Sequence, residues 1–169
     1  MQAPPTDDPL TGLYSRSVLD EIACHEMAQA RRAGEPLTAA LIGIDQFQTI
    51  SDMFGHAAGN AVLCAIGQLC QTTLRAPDMV ARYGGEELAL LLPATSLTQA
   101  GPVLERLRKN IMAMLVPDLQ GRWVVTASIG AAEFNRDDPD IAAVLARADS
   151  ALYRARETGR NKVELGLAA

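Results

Sequence analysis

Apolar residues recur with a helical period over residues 17–33. Val18, Leu19, Ile22, Ala23, Met27 and Ala30 fall on one stripe, which predicts a helix ended by Gly34 and Pro36. The next run, Leu37-Thr38-Ala39-Ala40-Leu41-Ile42-Gly43-Ile44, is apolar without alternation and reads as a strand buried on both faces. Asp45 then caps a short helix through Met53, and Asn60 or Gly59 opens another that runs to about Leu74. Residues 78–93 read as a hairpin, with Met79-Val80-Ala81 and Leu88-Ala89-Leu90-Leu91-Leu92 as its arms. Thr95 or Ser96 caps a helix to about Met114. Residues 123–132 form a strand rich in β-branched side chains, residues 140–156 an amphipathic helix ended by Gly159, and residues 162–165 a last short strand. Helices alternating with strands, plus one tight hairpin, give an α/β fold with a mixed sheet.

Composition narrows this picture. A chain of 169 residues, 49% hydrophobic but only 4% aromatic, makes one domain with an aliphatic, alanine-rich core. No apolar run reaches the ~18–20 residues of a membrane span, so no membrane contact is expected. Residues 1–7 read as an N-terminal extension without a signal-peptide pattern, and 8–169 as the domain. The net charge of −5 argues against nonspecific nucleic-acid binding, while leaving room for a small phosphorylated ligand held by a few arginines. Cys24, Cys64 and Cys70 form no pattern; Cys64 and Cys70 read as buried free thiols, which fits a cytoplasmic location.

The candidate chemistry sits at Arg82-Tyr83-Gly84-Gly85-Glu86-Glu87-Leu88. Two adjacent glycines between strand-like arms predict a tight turn with positive φ and no side chains at its tip, open to a bulky ligand. Glu86 and Glu87 beside it can hold a divalent cation, and the cation can hold phosphates. The same four residues can equally be a plain hairpin with a solvated acidic shoulder.

This stretch resembles the signature of the GGDEF family, the diguanylate cyclases, in a Gly-Gly-Glu-Glu-Leu form. The resemblance extends to the opening Asp8-Pro9-Leu10-Thr11-Gly12-Leu13-Tyr14-Ser15-Arg16, to Ile44-Asp45-Gln46-Phe47 with Gly55-His56 and Gly59, to Ala127-Ser128-Ile129-Gly130-Ala131, and to the closing Arg147–Arg156 helix with Gly159-Arg160-Asn161. It implies a nucleotidyl-cyclase or polymerase-palm-like fold: a central five-stranded sheet wrapped by helices, the hairpin at its centre facing the end of the first strand. It also implies a cyclase reaction, in which two domains, each holding one GTP, form cyclic di-GMP and release pyrophosphate with Mg²⁺. By this resemblance Glu86, Glu87 and the carbonyl of Ile44 would be metal ligands, with Glu86 and Glu87 catalytic. Gly84, Gly85, Phe47, Ser51, Asn60, Arg156 and Arg160 would meet the nucleotide. Near a helix C-terminus, Arg156 and Arg160 can also simply favour the helix dipole.

Four positions depart from the family pattern. Gly43 stands where the family usually has a metal-binding Asp, Gln48 where it has Lys, Ser51 where it has Asn, and Asn60 where it has Asp. Losing one of two bridging carboxylates removes several kcal/mol of transition-state stabilisation. A second constellation is intact: Arg75-Ala76-Pro77-Asp78 resembles the family's inhibitory Arg-x-x-Asp site for cyclic di-GMP, with Arg106 on the following helix as a further contact. Arginine can fork onto phosphate or the guanine edge, and aspartate can accept from guanine N–H groups; the pair can also be a plain surface ion pair. The reading favoured is a cyclic di-GMP-binding domain impaired as a cyclase, acting as a homodimer or a ligand-bridged dimer. The alternatives are a working diguanylate cyclase that takes GTP and Mg²⁺ and tolerates Gly43 by using Asp45 or water in the metal shell, and a dimerisation domain without ligand.

Overall fold

The computed structural model describes residues 7–166, which form five α-helices, five strands and one 3₁₀ turn. The order is α1 (Arg16–Ala33), β1 (Leu37–Ile44), α2 (Phe47–Phe54), α3 (His56–Thr73), β2 (Met79–Arg82), β3 (Glu87–Pro93), α4 (Leu97–Ala113), the 3₁₀ turn Pro117–Leu119, β4 (Ala127–Glu133), α5 (Ile141–Glu157) and β5 (Val163–Leu165). Residues 1–6 of the expected extension and 167–169 of the expected domain lie outside the described residues. Asp7, placed in the extension by the sequence, bridges to Tyr14. Among the described residues no helix is long and apolar enough to cross a membrane.

The strands form one sheet in the order β2-β3-β1-β4-β5, antiparallel except for the β4–β5 pair. The mixed five-stranded sheet wrapped by helices is as expected, with one correction: the hairpin is not central. β1 is the middle strand and β2 is an edge. The fully buried β1 explains its unbroken apolar run. Its even positions, Ala40, Ile42 and Ile44, pack with α3 and α4 residues such as Leu63, Ile66, Leu104 and Leu107. Its odd positions, Leu37, Ala39 and Leu41, pack with Ala23 and Met27 of α1 and Leu145, Ala148 and Leu152 of α5. The period of two therefore sends Gly43 toward the α1/α5 face. On that face α5 lies directly on β4. A Cβ added to Gly130 would overlap backbone atoms of Ala148 and Leu152, so glycine there sets the helix–sheet distance.

Local signals set most boundaries. Ser15 caps α1, and Ser96 with Gln99 forms a capping box at α4. Asp140 caps α5. Three details differ from expectation. Asp45 does not cap α2; the cap position is Gln46, at φ 55° with no side-chain bond to the helix. α3 starts at His56, four residues before Asn60, because Gly55 already breaks the chain there. β4 starts at Ala127, since residues 123–126 lie outside the ladder that β1 can extend as far as Ile44.

Candidate functional site

The turn between β2 and β3 is held from outside. Arg82 donates through Nε to the carbonyl of Gly84 at 3.0 Å and through Nη2 to that of Gly85 at 2.9 Å. Its Nη1 reaches Asp8 Oδ2 at 3.0 Å. Asp8 also accepts from the amide and the hydroxyl of Thr11, so the opening segment and the turn are one assembly. Burial pushes the Asp8 carboxyl up, but the Thr11 bonds and the Arg82 guanidinium outweigh it and hold it below its ordinary value. Arg16 adds a second brace, its guanidinium 4.1 Å above the Tyr83 ring. With this bracing the turn closes without positive φ at Gly84 or Gly85, contrary to the expectation from the glycine pair. The tip is open all the same: a Cβ at Gly85 would meet nothing within 4 Å.

The β1–β3 register places Gly43 opposite Glu87, and the β1–β4 register places it opposite Ser128. Glu87, half-buried, has its carboxyl raised above the ordinary range, chiefly by burial. Arg156 opposes that effect, while Asp149 and Glu86 add to it. Arg156 comes from the last turn of α5, and its Nη1 stands 3.8 Å from Glu87 Oε1. The same guanidinium lies over Gly43. An ideal Cβ there would overlap Nη2 and stand 2.9 Å from Cζ and 3.3 Å from Nε.

Asp45 is buried and accepts three hydrogen bonds: from Thr126 Oγ1 at 2.8 Å, from Ser128 Oγ at 2.7 Å and from the amide of Asn161 at 3.0 Å. It ties the closing turn to β4; Ser128 lies opposite Gly43, so Asp45 shares the sheet face of Glu87, with its oxygens taken up by these three donors. Arg108 Nη1 donates to Asn161 Oδ1 at 2.8 Å and holds the other side of that turn. Arg160 and Asn161 adopt φ of 64° and 49°, a conformation that these anchors make tolerable. The Arg160 side chain is exposed.

The remaining expected contacts are dispersed. Phe47 is half-buried and its ring packs on Gly59. Ser51 is buried, with Oγ 2.5 Å from where a Cβ of Gly59 would be, so it faces α3. Asn60 is exposed within the first turns of α3. Gln48 is also exposed and donates to Asp52. Ile44 donates its amide to the carbonyl of Glu86 at 3.4 Å, which brings the end of β1 to the acidic shoulder.

Family-type metal binding needs a carboxylate from β1 beside Glu87. Gly43 provides none, the space is filled by a guanidinium, and among the described residues no three His, Cys, Asp or Glu side chains gather as a cation site. The residues present do not fit the two-carboxylate site.

The second constellation is built at the α3–β2 corner, separated from the turn by β2, four residues and about 13 Å long. Arg75 pairs with Asp78 through Nε at 3.3 Å and Nη2 at 3.0 Å, and Nη2 also reaches the carbonyl of Pro93 and Thr95 Oγ1. Asp78 further accepts from the amide of Arg75. Beside them lies a cavity of about 220 Å³ lined also by Leu92, Gln99 and Val103. Arg106 is exposed one turn beyond Val103 and does not line it.

Residues 6–162 match the family described as diguanylate cyclase, GGDEF domain. The chain belongs to the GGDEF family. This GGDEF domain is similar to diguanylate cyclase DgcP of Pseudomonas aeruginosa, 43% identical over 158 residues, which cover 94% of this chain and 23% of DgcP. It is similar also to diguanylate cyclase DosC of Escherichia coli, 37% identical over 94% of this chain and 34% of DosC. The chain thus spans about a quarter to a third of the length of these relatives. Among solved structures, the GGDEF domain of DgcB from Caulobacter crescentus in complex with c-di-GMP matches with a TM-score of 0.91 at 28% identity, covering 98% of both chains. The active GGEEF domain of a diguanylate cyclase from Vibrio cholerae matches with a TM-score of 0.86 at 30% identity, covering 93% of this chain and 99% of that one. As a GGDEF domain it belongs to cyclic di-GMP signalling.

Asp8, Arg16 and Arg108 were not singled out for the site by the sequence. Asp8 lay inside a recognised motif, which was a signal of sorts. Arg16 lay in the same motif, whereas Arg108 carried no signal, since it acts across a long stretch of chain.

Proposed function

We propose that this GGDEF domain binds cyclic di-GMP at the Arg75–Asp78 corner and is impaired as a cyclase. The observation that carries the reading is the built corner. Arg75 is held rigid by four acceptors, its Nη1 has no partner among the described residues, and a cavity opens beside it. A prepositioned Nη1 donor loses little side-chain entropy on meeting a guanine edge or a phosphate. At about 220 Å³ the cavity is below the ~300 Å³ lower end of drug-sized sites, so it suits one base of the dinucleotide. The rest of the ligand would lie over the surface and bridge to a second copy. Impairment is supported by Gly43, which leaves Glu87 without a facing carboxylate. The two glutamates still mark the turn as the place where GTP would approach.

Calorimetric titration with cyclic di-GMP tests the corner. The expected result is binding that weakens tenfold or more in Arg75→Ala and in Asp78→Ala; no binding by the unaltered domain overturns the reading. Incubation with GTP and Mg²⁺ tests the cyclase. Little or no cyclic di-GMP is expected from the unaltered domain, and efficient product formation would establish a working cyclase instead.

A further inference from the structure

We propose that the guanidinium of Arg156 is a built-in cation that takes the place of a divalent ion beside Glu87, so that a guanine nucleoside triphosphate binds at the turn without a divalent metal. The inference rests on the reading above in one respect, that the turn accepts a guanine nucleotide.

Three observations converge. The guanidinium occupies the volume that any side chain at position 43 would need, so Gly43 and Arg156 are one arrangement: the glycine makes the room and the arginine fills it. Arg156 is not consumed by the pairing. Its Nη1 is 3.8 Å from Glu87 Oε1, beyond hydrogen-bond distance, and its side chain remains 31% exposed, which leaves N–H donors free for a ligand. The surroundings also place this cation, with Arg16 further off, among Glu86, Glu87 and Asp149, the carboxylates that would otherwise draw a metal ion. A guanidinium carried on α5 answers that negative field and repels a second cation. It presents planar donors to phosphate oxygens without needing two carboxylates to hold it. Arg160, exposed on the anchored closing turn, adds a second positive group to the same end of α5.

The test uses the GTP analogue with an imido bridge between its β and γ phosphates, titrated calorimetrically into the domain with Mg²⁺ or with EDTA. Dissociation constants within about twofold of each other are expected for the unaltered domain. Arg156→Gln, which keeps the shape without the charge, should weaken binding tenfold or more in EDTA; thermal denaturation checks that it folds. The combined Gly43→Asp, Arg156→Gln variant should bind at least tenfold tighter with Mg²⁺ than with EDTA. Binding by the unaltered domain that is tenfold tighter with Mg²⁺ overturns the proposal, as does absence of binding in both conditions. Cyclic di-GMP titration reads the Arg75–Asp78 corner separately, so failure of that reading and failure of this one give different results.

Discussion

Glu87 stands directly across the β1–β3 ladder from Gly43, and Arg156, not a second carboxylate, lies between them and solvent. At the sheet end nearest the turn Glu87 therefore faces a guanidinium. The glycine's role there is to clear space for the flexible end of a side chain. At Gly130 the obstacle is helix backbone, and that difference has measurable consequences.

Gly43→Ala should change stability by less than about 1 kcal/mol, because the guanidinium of Arg156 can swing aside. Gly130→Ala should cost about 3 kcal/mol or more, because α5 cannot shift without uncovering Ala148 and Leu152 from the core. Urea denaturation of the two variants checks both. Equal effects would show that α5 is not seated rigidly on β4.

Asp45→Ala should lower stability by about 3 kcal/mol, since the amide of Asn161 and the hydroxyls of Thr126 and Ser128 all lose a charged acceptor. Hydrogen exchange at the Asn161 amide should accelerate beyond the global change. Unaltered exchange there would show that Arg108 alone suffices to hold the closing turn.

Arg147 hydrogen-bonds to Asp138, and the bond from the guanidinium is the first cause holding that carboxyl below its ordinary range. A folded-state value below the unfolded ~3.9 means the pair contributes fully above about pH 4 and is lost as pH falls through the folded value. Asp138→Asn should reduce stability by about 2 kcal/mol at pH 7 and flatten the acid limb of the stability profile. Chemical denaturation between pH 2.5 and 7 reads both effects, and an unchanged acid limb would assign that limb to other carboxylates.

Burial alone pushes the Cys70 thiol up to about 12, whereas Cys24 is exposed. Iodoacetamide at pH 8 should label Cys24 readily and Cys70 only after unfolding. Cys64, expected to be buried, is only half-buried, its Sγ donating to the carbonyl of Leu10 at 3.2 Å, and should fall between them. Peptide mapping by mass spectrometry gives the order.

The boundaries of α1, β1, α4 and α5 were legible because they rest on local chemistry: a stripe of period 3.6, an unbroken apolar run, and a capping side chain at Ser96. Asp45 misled because a polar residue before a helix looks like a cap, while its three partners lie some eighty to a hundred and sixteen positions away. The placing of the hairpin failed for a related reason. Pattern identifies a strand, but which strand becomes the middle one depends on which neighbours bury it.

By itself the sequence determined the family, the α/β alternation, the glycine–glutamate turn and the absence of a carboxylate at position 43, because each is a matter of residue identity and local period. The tertiary structure alone decided that Arg156 fills the space at Gly43, that Arg82 and Asp8 brace the turn, and that Asp45 anchors the closing loop. Those contacts join residues whose separation along the chain carries no signal. They exist only once the β1–β3 register and the seating of α5 on Gly130 bring the partners within reach.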